Sequence, residues 1–184
     1  MNADANRRLE NIVRFGTVKT INPSKPIPRV IVNLGDIETP EIRCLNIRSG
    51  DDVTWDMPSE NEECVVISPC GDIGPTSFVL YGFYNDDHPA PSDDLNKKIR
   101  MFADGCVIAY DVAAHHLSAV LPSDGTAQIV ADVEIVGSLH VTKAITAGEN
   151  ISTPADVVAE NISLKSHKTS GVQSGSGTSG GPTP

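Results

Sequence analysis

The chain has 184 residues, a formal net charge of -10, 39% hydrophobic residues and only 4% aromatic ones. That length fits one or two small domains. The acidity argues against nucleic acid or an anionic lipid surface as partner, because both are bound chiefly through Lys and Arg.

Residues 2–16, "NADANRRLENIVRFG", read as a short amphipathic helix. Leu9, Ile12 and Val13 form its apolar face and Gly16 is a natural stop. From Thr17 the pattern changes to short runs rich in Val, Ile and aromatics: "TVKTI", "PRVIVNLG", "IETPEIRCLNIR", "DDVTWDMP", "ECVVISPCG" and "SFVLYGFYN". Gly, Pro, Asn and Asp punctuate them at the spacing of a small closed barrel. An OB-like and an SH3-like barrel both suit this pattern, which does not separate them.

A polar, proline-bearing connector runs from Asp86 to Lys98 and marks a domain boundary. "IRMFADGCVIAYD" then predicts a hairpin turning at Asp104-Gly105 as a type I′ turn. "HLSAVLPSDGTAQIV" predicts a second hairpin, turning at Ser123-Asp124-Gly125.

The stretch "AQIVADVEIVGSLHVTKAI" alternates for about nineteen residues, far beyond an ordinary strand of ~5–6. Odd positions carry Ala127, Ile129, Ala131, Val133, Ile135, Gly137, Leu139, Val141 and Ile145, broken by Lys143. The phase is then expected to slip, with Val158, Ile162 and Leu164 buried. No Phe, Trp or Tyr follows Tyr110, so this part needs a narrow interior filled by small aliphatics. One copy has nothing to cover its strand edges and apolar face. Identical copies around an axis supply both, and three enclose the thinnest interior. The prediction is an intertwined β-helix or β-prism.

These segments, in this order, resemble the central spike of contractile phage tails, the baseplate assembly protein V family that includes R-type pyocin spikes. The resemblance rests on "RRLENIVRFGTV", on "WDMPSENEECVVISPCGDIGPTSFVLYGFYNDDHPAPS", on "IRMFADGCVIAYD", and on the Gly/Ser/Thr-rich ending after His167-Lys168. It implies a mainly β chain: an N-terminal helix and lead-in over 1–16, an OB-fold over 17–90 and a linker over 91–98. A trimeric β-helical shaft over 99–165 and a small-residue apex over 166–184 follow. It implies a homotrimer joined by its OB end to a baseplate hub protein. The assembly takes place in the bacterial cytoplasm, and the product is part of a virion or tail-like particle. Sheath contraction would drive the spike through the bacterial outer membrane. In the family the apex holds iron through an H-x-H pair from each chain. The matching positions here are Lys165, Ser166 and His167. The resemblance therefore carries over only His167 as a metal ligand, one per chain.

The remaining candidates are read more plainly. Trp55 suits core or interface better than glycan stacking. His115-His116 suit a solvated turn, since neighbours on a strand point to opposite faces. His88 and His140 have no ligand role. Asp36, Glu38, Asp51, Asp52, Asp86 and Asp87 are surface charges, with no calcium-loop spacing. Cys44, Cys64, Cys70 and Cys106 form no C-x-x-C and are expected as buried free thiols. No G-x-S-x-G, P-loop or H-E-x-x-H occurs, so an enzyme is not expected. The competing function is an OB-fold ligand-binding module with a disordered tail.

Overall fold

The structure, a computed structural model, describes residues 3–166 together with Lys168 and Gly175. The chain separates into two compact units, Met1–Ala127 and Gln128–Pro184.

In the first unit, helix α1 spans Ala3–Asn11 and leads directly into β1, Val13–Asn22. The helix is shorter than its apolar pattern predicts. Ile12 and Val13 leave it because residues 13–17 pair with β4, Glu63–Ile67. Gly16 is therefore no helix stop. It sits inside β1, where an added Cβ would lie 2.4 Å from the carbonyl oxygen of Asn33. Polar contacts anchor α1: Arg8 bridges Asp4 on its own helix and Asp72 beyond the barrel wall, each at 3.0 Å. Gly71 lies so close to the backbone of Arg8 that no side chain fits there.

β1 pairs with β2 (Arg29–Asn33) on one edge and with β4 on the other. β3 (Ile42–Cys44) follows β2, and β5 (Phe78–Tyr81) runs parallel to β3 and antiparallel to β4. The order β1-β2-β3-β5-β4 closes on itself. The parallel β3–β5 contact resolves the choice left open by pattern: this is a five-stranded barrel of the OB type. The predicted strand "DDVTWDMP" is absent. Only an isolated bridge between Ser49 and Val53 remains there.

Val18, Val30, Val32, Ile42, Cys64, Val66 and Val79 fill the barrel and are essentially inaccessible. The aromatic residues do not form this core. Trp55, Phe15, Phe83, Tyr84 and Tyr110 all stay substantially exposed. Two buried hydroxyls are satisfied locally, with Ser77 Oγ–H donating to Ser68 Oγ at 2.9 Å.

The connector leads into an antiparallel meander of β6 (Lys97–Met101), β7 (Val107–Asp111) and β8 (His116–Val120). The first hairpin turns where expected but not as type I′. Only Gly105 has positive φ, and the amide of Gly105 donates to Phe102 carbonyl oxygen while that of Phe102 donates to Cys106. This is a type I turn closed by a glycine bulge. The second hairpin lies earlier than predicted, at residues 112–115, with His115 left-handed at φ 53°. Ser123-Asp124-Gly125 forms only a local turn, in which the Gly125 amide donates to Pro122.

In the second unit, no strand forms among the described residues before the two-residue strands β9 (Val158–Ala159) and β10 (Ile162–Ser163). The β-helix expected there does not appear in the single chain. Val158, Ile162 and Leu164 are exposed, contrary to the expected burial. An extended segment without neighbours at its edges has no ladder partner and no surface to cover its apolar side.

Candidate assembly surface

The second unit presents unpartnered aliphatic side chains in an ordered alternation. The odd-position residues Ile129, Val133, Ile135, Leu139, Val141 and Ile145 are 41–73% exposed, whereas Val130 and Val136 on even positions reach 88% and 92%. The odd-position side chains are thus exposed, though less so than these two even-position valines, and no ladder forms. Burying such side chains fully is worth ~1.5–3 kcal/mol each. A single copy leaves much of that unrealised.

A second feature lies at the far end of this segment. The β9–β10 hairpin pairs Val158 with Ser163 and Ala159 with Ile162, turning through Glu160 at φ 53°. Asp156 holds it shut. Its Oδ1 accepts the backbone N–H of Val157 at 2.9 Å and of Lys165 at 3.0 Å. Its Oδ2 accepts the hydroxyl of Ser163, whose Oγ in turn accepts the Ser166 amide at 2.9 Å. The Ser163 hydroxyl first, and then these amides, hold the Asp156 carboxyl below the usual carboxylate range. The stabilisation from this clasp is full above the unfolded carboxyl value of ~3.9 and is lost as pH falls through the lower folded value. Asp156→Ala is expected to speed amide exchange at Val157 and Lys165 several-fold, with barrel amides unchanged. Unchanged exchange at Lys165 would remove the clasp from the description.

Asp156 was not among the residues picked out by sequence. The available signal was an Asp just before a short hairpin, a residue type that competes for nearby backbone donors. His167, the expected metal ligand, lies outside the described residues, and among the described residues no cluster of three potential ligands occurs. Lys165 and Ser166 are described and belong to the Asp156 network.

Elsewhere the polar candidates behave as surface groups. Asp36 pairs with Arg14 at 2.7 Å, Glu38 with Lys19 at 2.6 Å and Asp52 with Arg48 at 2.9 Å. His115 lies in the exposed β7–β8 turn and His116, also exposed, opens β8. His88 and His140 are exposed as well. The four cysteines are free. Burial pushes the Cys44 thiol up to about 11 and that of Cys64 up to about 12, which makes both poor nucleophiles. Cys70 is exposed rather than buried, at φ 60° in the turn that receives α1.

Trp55 is exposed and lines an open cleft of about 470 Å³ with Leu45, Ile47, Leu80, Tyr81 and Arg100. Asp56 braces it, accepting from Arg100 at 2.6 Å through its carboxylate and from the Tyr81 hydroxyl through its carbonyl. Phe15 meets Phe83 edge to face at 5.9 Å between centroids, also in the open. No described helix is long and apolar enough to cross a membrane.

The GpV apex motif matches residues 161–183, so it begins inside the Asp156-clasped hairpin. The chain is also similar to the spike protein of Escherichia phage P2, at 29% identity over 143 residues. That match covers 74% of this chain and 66% of the relative, so the chain spans just under two thirds of the relative's length.

Proposed function

We propose that the chain is a baseplate spike protein of the GpV family, a structural and not an enzymatic group, and that it is the central spike of a contractile tail. Three copies assemble. The barrel, which begins with β1 at Val13, docks the baseplate hub protein. The linker 91–98 leads to a shaft over 99–165, an intertwined three-chain β-helix, and to an apex over 166–184. On sheath contraction the spike punctures the bacterial outer membrane. The particle is a phage tail or an R-type pyocin, assembled in the bacterial cytoplasm.

The observation that carries this reading is the exposed alternating aliphatic side of residues 129–145. An acidic protein with so much ordered apolar surface in one segment has a partner for it. Copies of the same segment satisfy it along its whole length, and the interchain ladders so formed would resist axial load.

Metal at the apex follows only through His167. A Lys side chain offers donors and no acceptor, so Lys165 does not replace the family's first histidine. Three imidazoles, one per chain, make a chemically adequate donor set for a transition metal. Metal analysis of the purified protein and of His167→Ala tests this: metal near one per trimer, lost in the variant, supports it.

The assembly itself is tested by light scattering together with SDS gels run with and without boiling. A mass of roughly three times 19.5 kDa that survives SDS until heated is the expected result. A monomer with a protease-sensitive C-terminal third would favour a ligand-binding barrel, with the Trp55 cleft as its site.

A further inference from the structure

Within the second unit the aliphatic pattern has a longer period than two. Val133, Leu139, Ile145, Ile151 and Val157 fall six residues apart, without a gap. All five are exposed in the single chain. The intermediate set two positions later reads Ile135, Val141, Ala147, Thr153 and Ala159, shrinking towards the C-terminus. The set after that, Gly137, Lys143, Glu149, Ala155 and Asn161, holds no large aliphatic residue. The tripeptide Ala-Asp-Val occurs at 131–133 and again at 155–157, four such periods apart.

The backbone bends once in every period, at 136–137, 142–143, 148–149 and 154–155, so each member of the series takes the same place in its repeat. The phase does not slip after Ile145, as sequence alternation alone suggested. Ile151 and Val157 continue it. The series stops where the Asp156 clasp and the left-handed Glu160 turn the chain into the β9–β10 hairpin. Repeats of this length are a signature of β-helical stacking, in which a single repeat cannot bury its own apolar face.

We infer that residues 133–156 form four six-residue repeats, with Val157 opening the next, whose column Val133, Leu139, Ile145, Ile151 and Val157 packs in register against the same column of two further copies. This rests on the proposed trimer and assigns its axis. The occupant is this chain itself, because identical copies match the six-residue spacing at every step. The shrinking neighbouring set lets the three chains draw closer towards the apex. The strip with Lys143 and Glu149 keeps large aliphatic side chains off one position of each repeat.

Disulfide trapping tests the assignment. A cysteine replaces Leu139, Ile145 or, as a contrast, Val136 in full-length protein carrying Cys70→Ser and Cys106→Ser, so that Cys44 and Cys64 in the barrel are the native thiols left. Each variant is first sized by light scattering, then oxidised with diamide and boiled in SDS without reductant. Disulfides form only where Cα atoms approach within ~4.4–6.8 Å. Three thiols meeting on an axis join two chains and leave the third free. Leu139→Cys and Ile145→Cys should therefore give linked dimer and monomer in about a 2:1 mass ratio, and Val136→Cys monomer alone. Trimers that link through Val136→Cys and not through Leu139→Cys or Ile145→Cys would overturn the column while leaving the trimer intact. A parent protein that is monomeric would overturn the trimer itself. Two column positions guard against one substitution spoiling assembly. Mixing Leu139→Cys chains with Ile145→Cys chains before assembly checks register, because a heterologous disulfide between them would contradict it.

Discussion

Val133→Asp is expected to abolish assembly, leaving a species near 19.5 kDa in light scattering and no SDS-resistant band. In the proposed shaft three copies of residue 133 face one another across an apolar axis. Aspartate there places three carboxylates out of water and beside one another. The effective cost is several kcal/mol per buried ion, and like charges raise it further. Losing the burial of three valines adds to it. Ser138→Asp adds the same charge on the even side and should assemble normally. The pH response has a definite sign. Burial and mutual repulsion raise the carboxyl pKa in the assembled form, so the neutral acid is the form that assembles. Trimer should begin to recover as pH falls towards the free carboxyl value of ~3.9. Normal trimers of Val133→Asp at pH 7 would show that this side of the segment does not line the axis.

The barrel core was readable because its signal is local. Val30 and Val32 alternate with half-buried or exposed neighbours in β2, and Val66 and Val79 stand in short apolar runs between breakers. What escaped sequence depends on contacts between distant residues. Ile12 and Val13 satisfy a helical spacing with Leu9, yet the ladder to β4 claims residues 13–17 for a strand. The run around Trp55 has strand composition, but Asn46 and Thr54 side chains take the nearby backbone groups instead. The β7–β8 turn carries no glycine. Asp111 makes it by accepting the amides of Ala113 and Ala114, so its place could not be found by looking for Gly or Pro. The alternation after Ala127 was visible, but one chain displays no ladder there; in the proposed assembly the ladder forms between chains. Of the candidate site, the aliphatic side was legible and the Asp156 clasp was not.

Gly16→Ala is expected to destabilise the barrel, and it separates tertiary approach from backbone preference. The backbone at Gly16 suits any residue, so the whole cost is steric. A methyl group there would sit 2.4 Å from the Asn33 carbonyl oxygen, 2.8 Å from Val32 Cγ1 and 2.9 Å from Leu34 Cδ2. Val32 and Leu34 belong to the core, so neither gives way freely. Overpacking of this kind costs ~1–3 kcal/mol, and a clash with backbone belongs at the upper end. The gain from a stiffer unfolded chain returns ~0.4–1 kcal/mol. The net loss of about 2 kcal/mol lowers the barrel's thermal midpoint by roughly 8–16 °C. Gly50→Ala is the matched control, because an added Cβ there meets nothing within 4 Å. It keeps the entropic gain without the clash and should be neutral or slightly stabilising. Both variants are compared at one protein concentration, since assembly makes the midpoint depend on it. Equal midpoints would mean that β1 and β2 do not approach as closely at Gly16 as the barrel requires, and that the closure of β1 against both β2 and β4 is looser than the ladder implies.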